Sequence, residues 1–383
     1  MISLVLVLVF SYLVGQQLIN FLAKQVKNIN KKFLNQLFWY HLFLALVYYI
    51  YAVFNASDSK NYYNSILDNA DLDWFNLYGT STIFIKFIGF PFVNFFGFSF
   101  EAMMVLFAFF GFIGVAFFYA LFEEKFPIKI KTINNWDLKK VIFLLPNLHF
   151  WTGSFGKGSI IFMGIAMVFY AVIRFRERLI LLFLGGIIVY HVRPHIMLML
   201  MIAIMIGVLF SSRGISNQAK TFLLIIGFAS ISFVLNDALK LAGIEQEEFI
   251  SEGVDLSHRA SELGKATSGV DINNYNLFEK FFTFFYRPLF VDAPGILGII
   301  VSIENLFYVL ITIRLLNLRF LRYLFQSQYL VKASLLFFIV ASLALAQVSG
   351  NLGIAIRQKS QVILCFFFVV MSYRSSLMVN KRR

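Results

Sequence analysis

Between residues 141 and 210, two long apolar stretches are each interrupted near the middle by polar and charged residues. The first break holds His149, Trp151, Lys157 and Ser159; the second holds His191, Arg193, Pro194 and His195. A charge inside an apolar membrane span costs at least ~2.5 kcal/mol on insertion scales, so each break is a functional candidate by default. Segments 141–151 and 179–192 are each too short to cross a hydrocarbon core of about 30 Å at about 1.5 Å per residue. Broken helices are tolerated at that depth only where protein or a watery cavity covers their backbone groups. The expected arrangement is two hairpins that rise from the cytoplasm, break near the outer face and return.

The same logic extends to the whole chain. Of 383 residues 60% are hydrophobic and 14% charged, where a soluble domain carries about 25% charged residues. Apolar stretches near spanning length recur at 1–23, 34–54, 100–122, 221–241, 293–316, 335–347 and 361–377. The short alternating segments of a β-barrel are not seen. The expected fold class is all-α, a polytopic transmembrane helical bundle with about eleven spans, counting two for each hairpin. The first stretch lacks a charged leader and a small-residue cleavage site, and so reads as a retained helix. The Phe-rich stretch 81–98, with Gly89, Pro91 and Gly97, reads as interfacial or re-entrant. The basic loops fall on one side, which is cytoplasmic by the positive-inside rule. That puts the N-terminus outside, the C-terminus in the cytoplasm and the loops 55–99 and 242–287 outside, all within one integral membrane domain, 1–383. The loop 242–287 is acidic, with Glu245, Glu247, Glu248, Glu252, Asp255, Glu262, Asp271 and Glu279. The net charge of +13 therefore marks membrane orientation and not a nucleic-acid partner. The single cysteine, Cys365, lies in an apolar run and supports neither a disulfide framework nor a cysteine metal site.

Sorted by side, the outer breaks collect Asp58, His149, Lys157, Arg193, His195, Arg287 and Arg357. Arg forks match phosphate oxygens and Lys adds a point charge, so this set suits an anionic ligand that reaches the bilayer. The competing reading is that each cation snorkels to lipid head groups. Residues 153–159, GSFGKGS, lack the spacing of a nucleotide-binding loop and read as a Gly-rich turn opening a helix. The five histidines are not at zinc spacing. His41 and His191 read as satisfied polar groups in helix packing, and His195 beside Arg193 as polar or catalytic. Asp58 is either a general base for a sugar hydroxyl or an ordinary helix-flanking carboxylate. Glu304, inside a span, is expected either to pair with an Arg such as Arg287 or Arg357 or to be protonated. Trp74, Tyr62 and Tyr63 are candidates to stack on sugars or, alternatively, members of an interfacial aromatic belt.

The stretches PNLHFWTGSFGKGS (146–159), VRPH (192–195), FYRPL (285–289) leading to SIENL (302–306), and NLGIAIRQK (351–359) together resemble bacterial polysaccharide polymerases of the Wzy/EpsG type. These are multi-span inner-membrane proteins related in broad architecture to C-type glycosyltransferases. The resemblance implies an enzyme that uses an undecaprenyl-diphosphate-linked oligosaccharide on the periplasmic side. Arg193, Arg287 and Arg357 would hold the diphosphate, with Lys157, His149 and His195 assisting and Asp58 or His195 as general base. It implies no metal and no cofactor. Its partners would be the lipid-linked glycan, membrane lipid and a chain-length regulator protein. A flippase for such lipids and a non-catalytic envelope scaffold are the alternatives. A flippase would show an internal repeat and polar residues in both leaflets, and a scaffold would not need four cations on one face.

Overall fold

The computed structural model describes residues 2–71, 73–132, 135–211, 215–242, 269–293 and 295–382. Among the described residues every regular element is helical, apart from isolated bridges joining Lys131 to Asp137 and Gly269 to Asn351. Six helices are long and apolar enough to cross a membrane: Ile2–Gln25, Lys31–Phe54, Phe100–Lys125, Asn217–Ala238, Gly295–Leu315 and Tyr329–Val348. Leu352–Gln361 and Ile363–Val379, bent by 54° at their junction, make a seventh if taken as one broken span. Shorter apolar helices cover Thr82–Phe95, Lys157–Val172, Leu179–Val192 and Pro194–Leu209. This is the pattern of a multi-pass membrane protein. Where the hydropathy reads as one domain, the contacts form two compact units, Met1–Pro194 and His195–Arg383.

The first unit contains α1 (Ile2–Gln25), α2 (Lys31–Phe54), α3 (Asp58–Leu67), α4 (Thr82–Phe90), α5 (Phe100–Lys125), α6 (Leu138–Phe143), α7 (Pro146–Thr152), α8 (Lys157–Val172) and α9 (Leu179–Val192). Helix α5 is its axis and packs against α1, α2 and α8. It is apolar on all sides and buried along most of its length, as expected of a helix enclosed by others. Its start is set by Ser99, whose hydroxyl accepts from the Ala102 N–H, with Glu101 in the first turn. Small residues let α8 and α9 approach closely: a Cβ on Gly185 would lie 2.9 Å from the Gly164 carbonyl oxygen. The break between α6 and α7 falls before Pro146, which occupies the first turn of α7. Helix α9 ends at Arg193 (φ −152°, ψ 85°), whose extended backbone is what a following proline demands.

A buried ion pair fixes the loop after α5. Lys139 Nζ donates to Glu123 Oε2 and to the Phe126 carbonyl oxygen, each at 2.7 Å. Removing one member of such a pair strands the other charge in a low dielectric. Lys139→Met is therefore expected to lower stability by about 3–5 kcal/mol, and adding Glu123→Leu to recover most of the loss. Thermal aggregation of the detergent-solubilised variants checks both. A double variant as unstable as the single one contradicts the assignment.

The second unit contains α10 (Pro194–Leu209), α11 (Asn217–Ala242), α12 (Leu277–Tyr286), α13 (Gly295–Leu315), α14 (Leu318–Gln326), α15 (Tyr329–Val348), α16 (Leu352–Gln358) and α17 (Ile363–Arg382). Helix α15 packs on α12 and α17. An aromatic core knits them: Phe285 lies 4.7 Å from Phe338 and 5.4 Å from Phe366, ring centre to ring centre. Helix α12 opens with a capping box in which Asn276 and Glu279 satisfy each other's backbone N–H groups. Most of the acidic loop expected at 242–287 lies outside the described residues, including Glu245, Glu247, Glu248, Glu252, Asp255, Arg259 and Glu262.

Candidate functional site

In the first unit His149 and Lys157 lie in two different clusters. One is closed. His149 and His41 are both fully buried and their Nδ1 atoms lie 2.9 Å apart. His149 Nε2 sits 2.7 Å from the Phe143 carbonyl oxygen. A carbonyl only accepts, so in the neutral ring His149 Nε2 carries the proton, and His41 Nδ1–H then donates to His149 Nδ1. Both nitrogens of His149 are engaged within the protein. His149, expected from sequence to bind substrate, joins α7 to α2 through its buried ring. The aromatic candidates Tyr62, Tyr63 and Trp74 pack within the first unit. Tyr62 is buried against Phe155, and the Tyr63 hydroxyl donates to the Phe98 carbonyl oxygen at 3.0 Å. Trp74 stacks on Phe87 at 5.0 Å and donates its indole N–H to the Phe87 carbonyl oxygen.

The other cluster is built around Lys157, the first residue of α8. The preceding Gly156 has φ 159° and ψ −165°, a backbone state only glycine adopts readily. The turn is tied by Ser159, whose hydroxyl bonds with the carbonyl oxygens of Ser154 and Gly156. Lys157 Nζ donates to Ser81 Oγ at 2.9 Å. Ser81 itself has φ 62° and ψ −124°, a strained state for a residue with a side chain. Its N–H donates to the His191 carbonyl oxygen at 2.6 Å. The His191 ring is in turn fixed by Tyr78 (2.8 Å) and the Ile187 carbonyl oxygen (2.9 Å), and it stacks on Phe84 at 4.7 Å. Arg193, two residues on, is half-buried. Asp58 is exposed in the first turn of α3, a position where a carboxylate also favours the helix dipole.

In the second unit the structure joins three of the motifs. Lys359, 1% exposed, donates to the Arg287 carbonyl oxygen and to Asn305 Oδ1, each at 2.8 Å. Asn305 Nδ2 donates to the Pro288 carbonyl oxygen at 2.7 Å. Arg287 Nε is hydrogen-bonded and ion-paired with Asp292 Oδ2, and the Leu289 N–H donates to Asp292 Oδ1 at 2.5 Å. Partial burial disfavours the Arg287 charge, but the bond to Asp292 and its negative charge outweigh this and raise the guanidinium above its ordinary pKa. Of the arginines expected to pair with Glu304, Arg287 bonds Asp292. Arg287 takes the nearer carboxylate, five residues along its own loop. Glu304 instead accepts from the Tyr308 hydroxyl at 2.7 Å, one turn along α13. Arg357 lies in the last turn of α16 and is half-buried, with its carbonyl oxygen accepting from the Ser360 hydroxyl. His195 is half-buried in the first turn of α10.

Lys359, Asn305 and Asp292 build this arrangement without being sequence candidates for the site. Lys359 had a legible signal, a charge inside an apolar run two residues from Arg357. Asn305 and Asp292 had none, since an Asn beside an intramembrane Glu and an Asp in a turn are ordinary. Among the described residues no three His, Cys, Asp or Glu side chains are grouped to hold a metal ion. The chain matches no protein-family model, and neither a curated protein nor a solved structure is significantly similar to it.

Proposed function

We propose that this chain is a membrane glycosyltransferase of the polysaccharide-polymerase type. It joins undecaprenyl-diphosphate-linked oligosaccharide repeats on the periplasmic face of the bacterial inner membrane. The topology that goes with this reading has about eleven crossings, an external N-terminus and a cytoplasmic C-terminus. The observation that carries the proposal is the fixed arginine of the second unit. Arg287 is held through its carbonyl by Lys359 and through its side chain by Asp292, and a quarter of that side chain remains exposed. A guanidinium prearranged in this way, in a chain otherwise made of apolar helices, suits a phosphate-bearing ligand anchored in lipid.

In the reaction, an acceptor sugar hydroxyl attacks the anomeric carbon of the donor glycan. The bond from that carbon to the diphosphate oxygen breaks, and the diphosphate leaves with its negative charge. Arg287, with Arg357 from the same unit, stabilises that charge as it develops. A base takes the hydroxyl proton. Arg193 and Lys157 are the cations of the first unit assigned to lipid-diphosphate recognition.

Alanine at Arg193, Arg287 and Arg357, one at a time, is expected to abolish long glycan while leaving the amount of membrane-inserted protein unchanged. Gel analysis of surface glycan together with immunoblotting of membranes checks it. Normal-length glycan from all three variants refutes the catalytic reading.

A further inference from the structure

We infer that Lys359 and Asn305 are positioning residues that act through Arg287 to bind a lipid-linked diphosphate; this rests on the reading proposed above. Four consecutive residues are pinned, each by a different side chain. The Tyr286 hydroxyl donates to Thr312 Oγ1 at 2.9 Å. The Arg287 carbonyl accepts from Lys359, the Pro288 carbonyl accepts from Asn305, and the Leu289 N–H donates to Asp292. Three of these partners come from other elements: Thr312 and Asn305 from α13, and Lys359 from the turn after α16.

Burying an ammonium is costly, and a well-packed apolar residue of similar volume usually holds two helices together as well or better. What the ammonium adds is direction. It grips the Arg287 carbonyl and the Asn305 amide oxygen together, and that grip orients the Asn305 amide so that its N–H reaches the Pro288 carbonyl. Glu304, the residue before Asn305, and Asp292 are the carboxylates whose charge acts on Lys359. Asp292 thus serves both ends of the arrangement. It holds the Arg287 side chain and balances the lysine that holds the Arg287 backbone. A ligand-binding guanidinium gains affinity when its orientation is fixed before the ligand arrives. Neither Lys359 nor Asn305 need touch the ligand for this.

The test uses the full chain in lipid nanodiscs with farnesyl diphosphate as the probe, its affinity measured by calorimetry. Arg287→Ala is expected to weaken binding by about tenfold or more, as for loss of a charge-assisted contact. Lys359→Met and Asn305→Asp are each expected to weaken it by about three- to tenfold, since the charged head remains but loses its setting. Asn305→Asp keeps an oxygen for Lys359, removes the donor to Pro288 and sets a second carboxylate oxygen against that carbonyl, so it decides the matter if Lys359→Met does not fold. Arg287→Ala combined with Lys359→Met should bind no more weakly than Arg287→Ala alone, because the lysine acts through the arginine. A purely structural lysine would instead give a multiplicative loss in the double variant, and that result overturns the inference. So does wild-type affinity in Asn305→Asp while Arg287→Ala is impaired, an outcome that leaves the proposed function standing. Wild-type affinity in Arg287→Ala overturns the functional reading itself, and the inference with it.

Discussion

Gly111→Ala is expected to destabilise the first unit by about 3 kcal/mol, the upper end of the usual cost of overpacking. In an ordinary helix the same change would stabilise by about 0.5–1 kcal/mol. Here steric contact decides the sign. Gly111 lies midway along α5, where α2 and α7 close on it. A Cβ at this position would sit 2.0 Å from the Thr152 carbonyl oxygen and 2.9 Å from both the Thr152 carbonyl carbon and His41 Nε2. Two of these three atoms are backbone, so no rotamer change relieves the clash. The third belongs to the buried His41–His149 pair, so the strain spreads to the contact between α2 and α7. Gly79→Ala is the control, because a Cβ there meets only the Ile83 side chain, at 3.2 Å. Size-exclusion profiles of detergent-solubilised protein after graded heating read the effect. If Gly111→Ala survives as well as Gly79→Ala, the described packing of α5 against α7 is wrong.

Arg287→Lys is expected to reduce glycan polymerisation by about 10²-fold although the charge is conserved, a loss typical of removing one preorganised donor to a developing oxyanion. Lysine has no Nε at the position that Asp292 engages and no planar fork to span two phosphate oxygens. Its ammonium would be drawn onto Asp292 as a point charge, and little would remain for a ligand. The backbone would stay in place, because Lys359 and Asn305 bind the carbonyls of residues 287 and 288 whatever the side chain is. Insertion and stability should therefore match the wild type. An Arg287→Lys variant that polymerises at the normal rate shows that charge alone suffices and removes the argument from geometry.

Local backbone chemistry was the part of this molecule most open to inspection from sequence. Pro194 forces Arg193 out of helical geometry, and the glycines of 153–159 make a turn before α8; both effects act over a few residues. The partners of the polar side chains were hidden for the opposite reason. His149 meets His41 across 108 positions, and Lys359 meets Arg287 across 72. No periodicity encodes such separations. Glu304 illustrates the trap. A charge in a span suggests an arginine partner, but a tyrosine one turn away bonds it, and Arg287 finds Asp292 in its own loop. The stretches 285–289, 302–306 and 351–359 meet in space through Lys359, a residue less conspicuous in the sequence than its neighbour Arg357. Division into two units was not legible either, since hydropathy marks helices and is silent on which helices share a core.

The proposed reaction lengthens a glycan at the expense of a lipid diphosphate. The direct measurement supplies purified protein in nanodiscs with undecaprenyl-diphosphate-linked oligosaccharide and follows both glycan length and free undecaprenyl diphosphate. Wild-type protein should give a ladder of products separated by one repeat, with one undecaprenyl diphosphate released per bond formed, and Arg287→Lys should give almost none. Protein that moves the lipid between leaflets, or binds it, while the glycan stays one repeat long would contradict the claim.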